Sequence, residues 1–123
     1  MKTGLLLAAA LTVLTAAAHS FLGERYILMR LFRRENLPRL FGGDEFTKRT
    51  LRFAWHVTSV AWLGFAGLLV VLAKEAPPPR APLLQIVAAT FLCTAVVAVL
   101  GSRGKHLSWI VFTAMALLVW FAL

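Results

Sequence analysis

Three histidines and one glutamate are the side chains in this sequence whose chemistry stands out against an apolar background. They are His19, Glu24, His56 and His106, and each lies in or beside a long apolar stretch. Ionisable groups in such stretches are costly to bury, so by default they indicate function. Imidazole nitrogens and carboxylate oxygens bind transition metals such as zinc, iron and copper. We therefore predict a polar pocket that holds a metal ion, with these four residues as its candidate ligands.

The same residues allow three other interpretations. His19 and His56 could serve as axial ligands of a haem, with nearby arginines pairing with its propionates. His19, Glu24 and His56 could instead relay protons, because imidazole changes its charge near physiological pH. In the third interpretation the groups only stabilise the fold. His19 would then bond to a neighbouring helix and Glu24 would pair with an arginine; the candidate partners are His56, Thr58 or Ser59 for His19, and Arg25, Arg52 or Arg103 for Glu24.

The spacing of these residues does not form a known metal motif. No two histidines are four residues apart, so the usual helical chelate is absent from the sequence. His19 and Glu24 are five residues apart, about 140° around an α-helix with 3.6 residues per turn. Both can aim at one point only where the helix deviates, and Gly23 is the candidate position. Ser20 and Glu24, in contrast, share a face.

The elements that must position these groups are membrane helices. The chain has 123 residues, is 60% hydrophobic and has a mean hydropathy of +0.80. A membrane helix needs about 20 mostly apolar residues, and four stretches approach or reach that length. We predict an all-α integral membrane protein: a single four-transmembrane-helix bundle with spans at about 3–32, 44–74, 81–101 and 105–123. One cysteine, Cys93, excludes a disulfide scaffold.

Basic residues predict the orientation of these spans. Of the 13 Lys and Arg residues, most lie between residues 25 and 52 or in the turn at 103–105. The positive-inside rule then places the basic loop 33–43 in the cytoplasm and both termini on the non-cytoplasmic side, in an up-down topology. We expect a bacterial inner-membrane location. Residues 1–18 also resemble a cleavable signal peptide, which would leave three spans and an external basic loop.

The expected partners follow from this architecture. The chain contacts the lipid bilayer, and its basic loop attracts anionic lipid headgroups rather than nucleic acid. A stripe of small residues on the first span could pack the bundle or form a homo-oligomer; it comprises Gly4, Ala8, Thr12, Ala16 and Ser20. A transporter or channel subunit and a non-catalytic subunit that docks a membrane partner are the alternative functions. The sequence has no catalytic motif, so an enzyme would require the metal or haem site.

Overall fold

Helix dominates the computed structural model, which describes residues 2–74, 77 and 79–123. Four helices follow one another in the chain: α1 (Lys2–Leu31), α2 (Glu45–Lys74), α3 (Arg80–Ser102) and α4 (Ser108–Trp120). Within these described ranges no β-strand forms, and β pairing is limited to an isolated bridge between Leu40 and Gly43. The predicted all-helical fold is confirmed.

Three of the four helices, α1, α2 and α3, are long and apolar enough to cross a membrane, and α4 is a shorter apolar helix. Large apolar side chains cover their outer surfaces: Leu11 is 64% exposed, Leu14 65% and Leu118 73%. Contiguous exposed apolar surface of this kind is rare on soluble monomers and suits contact with lipid. These features are those of a helical membrane protein. The assignment of the four helices to one domain stays a prediction.

Proline and left-handed residues set the ends of α3. The helix starts directly after Pro79, whose extended backbone (ψ 135°) cannot belong to a helix. It stops where Arg103 and Gly104 adopt left-handed conformations, with φ of 53° and 75°. The Gly104 amide donates to the Val99 carbonyl at 2.8 Å, which closes the last turn. The chain reverses here and leads directly into α4.

Small residues allow the helices to approach one another closely. Most of the fully buried apolar side chains are alanines, with Ala16 and Ala98 at 1% and 0% exposure. A Cβ atom at Gly64 would overlap the side chain of Thr90, so α2 and α3 nearly touch at this point. Membrane helices associate through such close packing because lipid offers no hydrophobic driving force between them.

The helices form an open row rather than a closed ring. Each helix packs against the next one in the sequence, α1 on α2, α2 on α3 and α3 on α4. In the described part of the chain, no Cα atom of α1 comes within 8 Å of α3 or α4. Helices α1 and α4 are therefore the two edges of the row, and any site involving α1 must be built with α2.

Candidate functional site

Six polar side chains meet where α1 and α2 pack together, near the basic connection between the two helices. We call this group the polar cluster; it comprises His19, Ser20 and Glu24 of α1 with Arg52, His56 and Ser59 of α2. The α2 members are spaced at intervals of four and three, which places them on one helical face. Three of the four predicted site residues thus come together.

The hydrogen bonds of the polar cluster form one continuous chain. His56 Nδ1 lies 3.0 Å from Ser20 Oγ, the Ser20 hydroxyl donates to Ser59 Oγ at 2.8 Å, and Ser59 Oγ lies 3.1 Å from His19 Nδ1. On its other side, His56 Nε2 lies 3.3 Å from the carboxylate of Glu24. The two imidazoles are therefore joined through two serine hydroxyls, and one of them also reaches a carboxylate.

Glu24 and Arg52 close the chain at its outer end. Arg52 donates to both carboxylate oxygens, from Nη2 at 2.9 Å and from Nε at 3.2 Å. This confirms that Glu24 pairs with an arginine, and the partner is Arg52 among the three candidates. The guanidinium also lies 5.0 Å from the ring centre of Phe32, a cation–π contact that holds it over the end of α1.

Two tryptophans enclose the inner end of the hydrogen-bond chain. The ring of His19 stacks on Trp55 with centroids 4.6 Å apart and planes 3° from parallel, and meets the edge of Trp62 at 4.9 Å. The Trp55 indole N–H also donates to the backbone carbonyl of His19 at 3.0 Å. Neither tryptophan is among the site residues predicted from the sequence. Their spacing of seven, on the face that carries Ser59, was the signal that they point toward α1.

A π-helical segment, Gly23–Leu28, interrupts α1 beside the polar cluster. Gly23 is buried, and a Cβ atom there would overlap the indole of Trp55. Leu28, five residues later, is also buried, whereas Ile27 is 50% exposed. Bonds from residue i to i+5 place residues five apart on one face, so the segment keeps both Gly23 and Leu28 against α2. The helix thus deviates from Gly23 onward, at the candidate position named from the sequence, but His19 and Glu24 are joined through the two serines and His56 rather than at one point.

His106 does not join the polar cluster. It lies in the turn between α3 and α4, where its Nδ1 bonds to Ser108 Oγ at 2.9 Å. Its ring packs near Phe46 and Phe53, with centroids 6.1 and 5.3 Å away. The expectation of one pocket shared by all three histidines is not met, because the open row keeps the α3–α4 turn away from α1.

Beyond His19, hydroxyl groups bond to their own helices. Thr12 and Thr15 of α1 each donate to the carbonyl four residues earlier, both at 2.8 Å. Thr94 and Thr113 do the same on α3 and α4. These bonds satisfy each hydroxyl locally. Over residues 2–74, 77 and 79–123, the series of hydrogen-bonded polar side chains therefore ends at His19 on the inner side and at the Glu24–Arg52 pair on the outer side.

The fit of the cluster to a metal is partial. His56 Nε2 and Glu24 Oε2 are close enough to share one ion, but Arg52 already holds that carboxylate. Among the residues that the structure describes, no three His, Cys, Asp or Glu side chains converge as metal ligands. The metal or haem site stays a prediction.

Comparisons with known protein families, with curated proteins and with solved structures find no match to this chain. The function must therefore be argued from the polar cluster itself.

Proposed function

We propose that this protein is a proton-binding membrane protein and that the polar cluster is its proton site. The observation that carries the proposal is the unbroken hydrogen-bond chain from Glu24 through His56, Ser20 and Ser59 to His19. Histidine is the side chain whose charge ordinarily changes between pH 5 and 8. A serine hydroxyl both donates and accepts hydrogen bonds, so it can pass a proton between two imidazoles.

One donor order along these bonds would carry a proton from His56 to His19. In that order His56 Nδ1–H donates to Ser20, the Ser20 hydroxyl donates to Ser59, and the Ser59 hydroxyl donates to His19 Nδ1, over contacts of 3.0, 2.8 and 3.1 Å. A proton that arrives on His56 Nε2 makes this ring an imidazolium, and its Nε2–H then donates to the Glu24 carboxylate at 3.3 Å. His56 then releases its Nδ1 proton to Ser20, each hydroxyl passes one proton onward, and His19 Nδ1 receives one. One proton has moved from His56 to His19, and the hydroxyl groups of Ser20 and Ser59 now donate in the opposite direction.

Protons enter at the Glu24 end of the hydrogen-bond chain. The side chains of Glu24 and His56 are 31% and 30% exposed, and that of Arg52 is 49% exposed. Ser59, in contrast, is 6% exposed. The Glu24 carboxylate lies 3.3 Å from His56 Nε2 on one side and 2.9 Å from Arg52 Nη2 on the other. Charged groups of both packed helices therefore flank His56, and protons reach Ser20 and the buried Ser59 through it.

The proposal includes an orientation. With the basic loop in the cytoplasm and both termini outside, the cluster lies on the cytoplasmic side of a bacterial inner membrane. It exchanges protons with the cytoplasm. The one-sided distribution of Lys and Arg supports this orientation. Reporter fusions at residue 36 and at the C-terminus test it: a cytoplasmic C-terminus or an external residue 36 would contradict it.

Histidine NMR tests the proton site. We expect the ring ¹⁵N shifts of both His19 and His56 to change between pH 8 and pH 5 in lipid nanodiscs. Ser59→Ala breaks the chain between them, so the titration of His19 should change while that of His56 is largely kept. The matched control is Thr58→Ala, which removes an exposed hydroxyl one residue away. Neither histidine titrating, or equal effects of the two variants, would refute the proposal.

Metal analysis and an absorption spectrum of the purified protein test the alternative. Stoichiometric metal or haem that is lost in both His19→Ala and His56→Ala would replace the proton site with a cofactor site. An enzymatic role becomes worth pursuing only with that result. Oligomers in detergent would favour the transporter or channel alternative, because a single open row of four helices encloses little water.

A further inference from the structure

Away from the polar cluster, a cavity lies between the loop that precedes α2 and the turn that follows α3. Its volume is about 290 Å³, near the lower end of the range for small-ligand pockets. We call it the loop pocket; it is lined by Leu40, Phe41, Gly42, Gly43, Glu45, Phe46, Arg49, Arg103 and Lys105. Segments distant in sequence thus build one site.

The charges that line the loop pocket are mostly positive. Arg49 pairs with Glu45, whose carboxylate oxygen lies 2.6 Å from its Nε. In the part of the chain that the structure describes, neither Arg103 nor Lys105 has a carboxylate within 4 Å. Two cations therefore remain available to an anion. Arginine and lysine together are well suited to phosphate oxygens.

Disfavoured backbone conformations hold two of the lining residues in place. Among the described residues, Phe41 and Arg103 are the non-glycine residues with positive φ, at 57° and 53°. Residues other than glycine rarely adopt a positive φ, and those that do concentrate at functional sites. Both of them line the loop pocket. The Leu40–Gly43 bridge, closed by bonds of 2.8 and 3.4 Å, fixes the loop on one side.

An exposed aromatic residue adds an apolar edge to this basic site. Phe41 is 86% exposed although it meets the edge of Phe46 at 5.1 Å, and Leu40 beside it is 49% exposed. The pocket lies where α2 begins and α3 ends, which is the level of the headgroups for helices that cross a membrane. Cations beside a protruding apolar residue match the chemistry of a lipid that carries a phosphate.

We propose that the loop pocket binds the headgroup of an anionic phospholipid. Arg103 and Lys105 hold the phosphate, and Phe41 and Leu40 contact the glycerol and upper acyl region. The site is independent of the proton site, and it is more specific than a general attraction of basic residues to the membrane surface. The recognised group is a phosphate whose negative charge is not neutralised by a choline, and the apolar edge selects a lipid over free phosphate.

Native mass spectrometry of the full chain in detergent tests the proposal with phosphatidylglycerol and phosphatidylcholine as probes. The double variant Arg103→Gly and Lys105→Gln removes both cations; glycine keeps the left-handed turn without strain. We expect about tenfold weaker binding of phosphatidylglycerol in this variant and unchanged binding of phosphatidylcholine, because two solvent-exposed charge pairs are lost. Far-UV circular dichroism checks that the variant keeps its helices.

Two further arms distinguish the sources of binding. The matched control Arg33→Gln with Arg34→Gln removes the same charge outside the pocket and should leave phosphatidylglycerol bound. An equal loss in this control would reduce the effect to diffuse attraction and overturn the site. Phe41→Ser should weaken lipid binding. If inorganic phosphate at millimolar concentration displaces the lipid fully and Phe41→Ser has no effect, the pocket is a free-phosphate site and the lipid proposal is wrong.

Discussion

Gly23→Ala should destabilise the protein, although the same change stabilises most helices. In an ordinary helix interior, alanine is favoured over glycine by about 1 kcal/mol. At residue 23 the new methyl group overlaps the indole of Trp55, and Trp55 Cζ2 lies 2.6 Å from the ideal Cβ position. The backbone of α1 and this side chain cannot both keep their places.

The size of the destabilisation follows from the packing and the hydrogen bond that the Trp55 indole loses. Overpacking a well-packed site costs about 1–3 kcal/mol. Moving the indole also breaks its 3.0 Å hydrogen bond to the His19 carbonyl, a net loss of about 1 kcal/mol. The gain in helix propensity offsets about 1 kcal/mol. We therefore expect a lower free energy of unfolding by about 1–3 kcal/mol.

Reversible unfolding in mixed detergent micelles, followed by tryptophan fluorescence and circular dichroism, measures this difference. Gly4→Ala is the matched control, because a Cβ atom at residue 4 of the same helix has no neighbour within 4 Å. This control should be neutral or slightly stabilising. Gly23→Ala proving as stable as Gly4→Ala would show that Trp55 does not pack on the α1 backbone, and the positioning of His19 would need another cause.

Two further changes test other parts of the fold. The hydrogen bond from Lys48 holds the pKa of Asp44 below its ordinary value of 3.8, so its stabilising effect is complete above that pH and is lost as the pH falls through the lowered pKa. Asp44→Asn should thus be less stable than the wild type at pH 7 and equal to it in strong acid; a difference independent of pH in chemical denaturation would contradict this. Gly64→Ala should destabilise the protein more than Gly67→Ala, because its Cβ would overlap Thr90 rather than touch Ile86 at 3.3 Å. Equal unfolding midpoints of these two variants would exclude the close α2–α3 approach.

Much of the fold is predictable from the sequence, since runs of apolar residues ended by proline, glycine and charge define the helices. The three long helices lie within a few residues of the predicted spans, with α2 at Glu45–Lys74 against 44–74, whereas α4 at Ser108–Trp120 is shorter than the span predicted at 105–123. The order in which helices pack is not encoded in hydropathy. Alanines and glycines show where backbones approach, but a small residue such as Gly4 can equally face open space. The open row was therefore not predictable.

The polar cluster is predictable in part for a similar reason. Helical periodicity places Ser20 with Glu24 and Ser59 with His56, and the structure joins these pairs across one interface. Periodicity describes each helix separately, and it does not say which turns of two helices face each other. His106 shares the basic end of the molecule with the cluster, yet it packs in a different interface.

The open row also determines what it takes to expose the polar cluster. Among the residues that the structure describes, helix α1 contacts the other helices through α2 alone. A shift of α1 along or away from α2 would separate His19, Ser20 and Glu24 from their partners and leave the packing of α2, α3 and α4 intact. Local opening of one edge requires less free energy than unfolding of the whole protein. The titratable side chains of the polar cluster thus lie at one of the two edge interfaces of the row, where opening leaves the packing of the other helices intact.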